Sequence, residues 1–121
     1  MEFLTSNEFK ELSNPGVTSL QLLSPHNSPS SRVTITRVTV EPGAVQEPHH
    51  HATSEQIWIA VSGTGLLLLG QKKTMEIQAG EVVRFADGDT HGIHNTSTAA
   101  FVYLSVTSPP INFSSAYKEQ K

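Results

Sequence analysis

Apolar and polar positions alternate through residues 32–40 (RVTITRVTV), and the apolar ones are β-branched. Successive side chains of a strand point to opposite faces, so the pattern predicts a half-buried strand. Further strands are predicted at residues 56–61 (QIWIAV), 66–69 (LLLL), 74–78 (TMEIQ), 81–85 (EVVRF) and 100–106 (AFVYLSV). Turn-forming residues separate them: Glu41-Pro42-Gly43, Ser62-Gly63-Thr64-Gly65, Gly70-Gln71-Lys72, Ala79-Gly80 and Asp87-Gly88-Asp89. Short strands at this spacing predict an all-β fold, an antiparallel sandwich or barrel. Residues 17–23 add a strand at the sheet edge. Only residues 7–13 offer a helix, capped by Ser6 or Asn7 and stopped by Asn14-Pro15-Gly16.

Residues 24–31 (SPHNSPSS) read as a polar loop, and the tail after Pro109-Pro110 as an irregular arm. No repeat of the barrel pattern appears, so one barrel is expected. Its parts are an N-terminal arm over about residues 1–31, a barrel core over about 32–107 and a C-terminal arm over about 108–121. A chain of 121 residues fits a single domain and can bury enough surface to fold without disulfides. It has no cysteine. That excludes a disulfide framework, thiolate metal sites and a cysteine nucleophile, and fits a reducing, cytoplasmic compartment. The N-terminus (MEFLTSNEFKEL) carries acidic residues and no long apolar run, so a signal peptide is not expected. The longest apolar run, residues 66–69, is too short to cross a bilayer. Net charge is −3 with eight Lys and Arg and no basic stripe. Neither nucleic acid nor a membrane is an expected partner.

Five of the six histidines fall in two short blocks. The first, residues 43–56, reads GAVQEPHHHATSEQ. On an extended segment His49 and His51 converge on one side while His50 points outward. Imidazole suits first-row divalent metals, so such a pair makes half a metal site. The second block, residues 80–95, reads GEVVRFADGDTHGIHN and contains His91. Together the blocks resemble the cupin family, whose motifs are G(X)5HXH(X)3–4E(X)6G and G(X)5PXG(X)2H(X)3N. Gly43, His49, His51 and Gly63 match the first, and Gly80, Gly88, His91 and Asn95 match the second. The resemblance implies a cupin-type double-stranded β-helix, a jelly-roll-like antiparallel barrel. It also implies one divalent first-row ion (Fe, Mn, Ni, Zn, Co or Cu) held by His49, His51 and His91. Ala86 stands where the family usually has proline.

The motif's fourth ligand is a carboxylate, and two residues here fit its spacing. With three residues after His51 it is Glu55; with four it is Gln56. Counting back six residues from Gly63 selects Gln56, an amide-oxygen ligand. Hydrophobic parity argues the other way, because Gln56, Trp58, Ala60 and Ser62 share one face while Ile57, Ile59 and Val61 share the other. The motif count favours Gln56. Three neutral imidazoles and an amide leave the ion's +2 charge uncompensated, where a carboxylate would reduce it to +1. Such an ion is a stronger Lewis acid and prefers an anionic oxygen donor.

If Gln56 faces inward, so does Trp58, the only tryptophan, as a pocket wall or a core aromatic. Arg84 interrupts an apolar strand, either binding an anion inside the cavity or lying exposed outside it. Tyr103 shares parity with Phe101 and lines the pocket or fills the core. Trp58, Arg84 and Tyr103 are the candidate substrate-binding residues. Glu55, if not a ligand, is the nearest candidate catalytic base. Glu47 and His50 are expected at the rim, His94 on the strand face opposite His91, and His26 in solvent. Fold does not fix function. The resemblance implies a metal-dependent enzyme acting on a small oxygenated, anionic molecule. The reaction would be dioxygenase-like oxidation or metal-assisted isomerisation or elimination; the rival reading is non-catalytic binding or sensing of a sugar-like molecule. Sheet edges and an apolar outer strand face are features that proteins cover. A homodimer formed through residues 17–23 and the tail around 109–117 is therefore expected.

Overall fold

The alternating segments fold as ten strands in a computed structural model that describes residues 1–117. The larger sheet runs in the order β1 (Lys10–Asn14), β2 (Val17–Leu23), β3 (Thr34–Val40), β10 (Phe101–Ser108), β5 (Glu55–Ser62), β8 (Val82–Phe85). The smaller sheet runs β4 (Val45–His49), β9 (His91–His94), β6 (Thr64–Leu69), β7 (Thr74–Gln78). Every pairing is antiparallel. The chain passes repeatedly from one sheet to the other, which makes the jelly-roll barrel expected from the strand spacing.

The interior is graded along the strands. On β3, Thr34, Thr36, Val38 and Val40 are buried while Ile35, Arg37 and Thr39 point out. The neighbouring strands follow the same order: Phe101 and Tyr103 lead to Ser105 and Thr107 on β10, and Ala60 and Trp58 lead to Gln56 on β5. Register puts like with like. Val17, Val40 and Phe101 lie side by side at one end, and Thr34, Thr107 and Gln56 at the other. One end of the barrel is an apolar plug, and the other is polar. At the plug the sheets come so close that a Cβ on Gly65 would stand 2.7 Å from Ile93 and 3.0 Å from Phe101, so only glycine fits.

Two expectations for the N-terminal part are corrected. Residues 7–13 form no helix; a 3-10 turn at Ser6–Glu8 is followed by β1. A seven-residue helix is below the length at which local propensity sustains it, whereas β1 gains a partner through the Asn14-Pro15-Gly16 turn. Its five residues pair with β2 throughout. Residues 17–23 are consequently not an edge, because β2 lies between β1 and β3. The tail contains one 3-10 turn, Phe113–Ala116, and packs on its own barrel, with Tyr117 buried. Among the described residues no helix is long and apolar enough to cross a membrane.

Candidate metal centre

His49 ends β4 and His91 begins β9, and the two are direct partners in the smaller sheet. Between Gln46 and His49 the register slips, so Glu47 and Pro48 bulge opposite Gly92. A Cβ on Gly92 would sit 2.6 Å from the Gln46 carbonyl oxygen and 2.9 Å from the Pro48 nitrogen. The bulge therefore needs glycine there. His51 follows the strand rather than lying in it, and its carbonyl accepts the Gly88 N–H at 2.8 Å. That bond ties the loop of the first histidine block to the loop of the second. Ala86 holds the second loop in turn, its N–H donating to Asp89 Oδ2 at 2.9 Å. A proline at this position would have no N–H to give.

The result is a convergent trio. Ligand-capable atoms of His49, His51 and His91 all lie within 4.8 Å of one another, and His50, between two of them, is exposed. His49 Nδ1 is 2.9 Å from the Glu47 carbonyl oxygen and His91 Nδ1 is 3.0 Å from that of Asp89. A carbonyl only accepts, so each Nδ1 carries the proton and each Nε2 presents its lone pair. The Nε2 atoms of His51 and His91 are buried without a hydrogen-bond partner. Burial lowers the His91 pKa to about 4, the nearby His49 adding to the effect. His51 is lowered too, first by burial and then by His49 and His50. Both rings are thus neutral at neutral pH. Neutral, convergent, unpartnered imidazole nitrogens are the donor set a first-row divalent cation fits.

Gln56 and Glu55 take opposite faces, as strand geometry requires. Gln56 is buried and lines the same cavity as His49 and His51. Its amide is clamped, with Oε1 accepting the Trp58 indole N–H at 2.8 Å and Nε2 donating to Thr107 Oγ1 at 2.9 Å. An indole nitrogen only donates, so the atom facing it is the oxygen, and that oxygen retains a second lone pair. Glu55 points out of the barrel and pairs with Arg84 at 3.0 Å. This corrects two expectations. Glu55 is not placed to act as a base beside the trio, and Arg84 is not placed to bind an anion in the cavity. The reason is that Ile57, Ile59 and Val61 form the outer face of β5, so the apolar side of this strand is not the inner one.

Trp58 and Tyr103 both line the cavity, stacked with ring centroids 4.2 Å apart. Phe85 stacks on His91 at 4.4 Å, and Phe113 from the C-terminal arm meets His51 edge-on at 6.0 Å. The cavity has a volume of about 900 Å³. Glu47 and His50 stand exposed at its rim. His94 is half-buried on the outer side of β9, and His26 contacts Ser114 Oγ at 3.1 Å. A hydrogen-bond chain that single-sequence reading missed crosses the cavity. Tyr103 Oη donates to Gln46 Oε1 at 3.0 Å, Gln46 Nε2 donates to Tyr117 Oη at 3.4 Å, and Tyr117 also bonds Ser19. Burial raises both tyrosine pKa values, that of Tyr103 strongly.

The sequence matches the family model for the cupin domain over residues 36–107. No curated protein matches it. Several solved structures share its fold. KdgF from Halomonas sp. superposes with a TM-score of 0.76 at 19% identity, covering 91% of this chain and 96% of that one. The polyketide cyclase RemF from Streptomyces resistomycificus gives 0.76 at 22% identity, over 89% of this chain and 79% of that one. A predicted oxalate decarboxylase from Thermotoga maritima gives 0.73 at 25% identity, over 89% of this chain and 99% of that one.

Proposed function

Because the chain belongs to the cupin family, we propose that it is a metal-dependent enzyme acting on a small oxygenated molecule with an anionic oxygen. His49, His51, His91 and the Gln56 amide oxygen hold the ion. One observation carries the reading. Imidazole nitrogens converge within 4.8 Å on a cavity, two of them buried and without partners. A divalent first-row ion bound there supplies Lewis acidity and open positions for substrate and dioxygen.

The chain's own groups favour oxidation over proton-shuttling isomerisation or elimination. Proton transfer needs a positioned acid or base within reach of the reacting atoms. Glu55 lies outside the barrel, burial raises both tyrosine pKa values so that neither phenol serves as a base, and the Tyr103 O–H is engaged with Gln46 Oε1. Among the described residues, Glu47 and His50 are the remaining candidates, and both are exposed at the rim. The same absence supports a second reading, a binding or sensing protein. The two are separated by incubating metal-loaded protein with enolic and uronic compounds, with and without O2. Turnover that needs the ion and O2, and is lost in His49→Ala/His91→Ala, supports the oxidative reading. Tight binding with no turnover supports the second.

A further inference from the structure

We infer that the cavity takes a hydroxylated carboxylate, with one anionic head at the metal and a neutral body bearing several hydroxyl groups. The head-group half of this assignment rests on the metal-site reading above; the body half rests on the opposite wall alone. There, strand register sets Gln21, Thr36, Ser105 and Trp58 side by side across β2, β3, β10 and β5. The adjoining row begins with Ser19 and continues through Val38 and Tyr103 to Ala60. Inward positions on central strands are ordinarily Val, Ile or Leu, and each Ser or Thr there forgoes apolar burial.

The Ser19 hydroxyl is taken up by Gln21 Nε2 and Tyr117, but those of Thr36 and Ser105 are not consumed by the fold. Ser19, Thr36 and Ser105 line the cavity, and no side chain among the described residues bonds the Thr36 or Ser105 hydroxyl. Gln21 shares the inner face of β2 with Val17 and Ser19 and is fully buried. Its Nε2 donates to Ser19 Oγ at 2.8 Å, but its Oε1 has no partner. Gln21 is sealed behind the cavity's lining residues, so the free hydroxyls a ligand meets on this wall are those of Thr36 and Ser105. The wall also carries no charge, since the charged and titratable residues lining the cavity are Glu47 and the histidines at its mouth, apart from the two buried phenols. It can exchange hydrogen bonds with neutral hydroxyls but cannot neutralise a second anionic group. That disfavours phosphorylated or dicarboxylic ligands. Trp58 and Tyr103, which line the same cavity, add apolar surface beside these hydroxyls. A volume of about 900 Å³ accommodates a six-carbon chain with room for water.

Zinc-loaded protein titrated calorimetrically with D-gluconate and with 2-hydroxyhexanoate tests this. The two acids share a chelating head and chain length and differ only in the hydroxyls of the body. Two or three body hydrogen bonds of ordinary net strength make gluconate the tighter ligand by about tenfold or more. In Thr36→Val/Ser105→Ala protein that keeps its zinc, the two should bind within about threefold of each other. If the double variant does not fold, Ser105→Ala alone reads part of the same loss. The assignment is overturned by 2-hydroxyhexanoate binding as tightly as gluconate, by neither acid binding while zinc is retained, or by an undiminished gluconate preference in the variants. Zinc-free protein separates the two halves. Both acids should lose affinity there; gluconate binding unchanged without zinc would remove the metal head and leave the polyol wall standing.

Discussion

Gln56→Glu places a carboxylate where the structure holds an amide, and its effect on metal binding has a definite sign. The change preserves the local hydrogen bonds. A carboxylate oxygen still accepts the Trp58 N–H, and the Thr107 hydroxyl, now an acceptor at 2.9 Å, can rotate to donate. Only the charge differs. Two unit charges 4 Å apart attract by about 4 kcal/mol at an effective dielectric near 20, so a +2 ion gains roughly 8 kcal/mol. Stripping water from a carboxylate at a position only 4% exposed offsets several kcal/mol of that. The balance is a tightening of about 1.5–3 kcal/mol, or roughly 10- to 100-fold in Kd. Without metal the same carboxylate is buried without a cation, so its pKa rises and the apo protein loses stability. Competition calorimetry with zinc, paired with urea unfolding of the metal-free protein, reads both effects. Glu55→Gln is the control and should leave zinc affinity unchanged, because Glu55 pairs with Arg84 on the outer face. Gln56→Glu binding zinc no more tightly than wild type, or Glu55→Gln weakening it, would refute the reasoning.

Thr107→Val keeps the shape of the side chain but strands the Gln56 Nε2 donor inside the barrel, which should cost about 1–3 kcal/mol in urea unfolding; unchanged stability would contradict the clamp. Tyr103 and Tyr117 are the only tyrosines, and burial raises both pKa values. Folding favours their protonated form, so this stability is complete below the unfolded value of about 10 and is lost as pH rises through the higher folded values. Tyrosinate absorbance should accordingly stay low at pH of about 10 and appear together with unfolding; ionised tyrosine in folded protein at that pH would count against it. On the outer face of the larger sheet, Glu11, Leu20, Arg37, Leu104, Ile59 and Val82 form one cross-strand row. Ile59 and Val82 are exposed, and Glu11 and Arg37 have no ionic partner among the described residues. A two-fold-related copy packed on this face would cover the exposed Ile59 and Val82. Sedimentation should show a dimer, and a stable monomer at micromolar concentration would exclude it.

Strands with period-two alternation and sharp turns were legible in the sequence: residues 74–78 match β7, and residues 32–40 contain β3. β1 was not, because its pairing with β2 comes from a tertiary contact that local propensity does not report. The histidine trio could be read from spacing, since the bulge at Glu47 and Pro48 leaves His49 in register with His91. Parity on β5 misdirects because it assumes an apolar interior. Here the inner face carries Gln56 and Trp58 around a polar cavity, and the outer face carries Ile57, Ile59 and Val61. The inward hydroxyls did leave a signal, Thr34 with Thr36 and Ser105 with Thr107 at alternate positions. The docking of Tyr117 against Ser19 and Gln46 left none, because nothing in the tail's own sequence specifies which residues it will meet.

The metal site is tested most directly by counting metal. Protein reconstituted with a first-row divalent ion and dialysed should carry close to one ion per chain by plasma emission spectrometry. His91→Ala should lose most of it and His49→Ala/His91→Ala all of it, with folding checked by circular dichroism. The convergence of His49, His51 and His91 within 4.8 Å leaves no other group of at least three His, Cys, Asp or Glu side chains among the described residues to take the ion. Full occupancy retained in the double variant, or none in the wild type, would contradict the account.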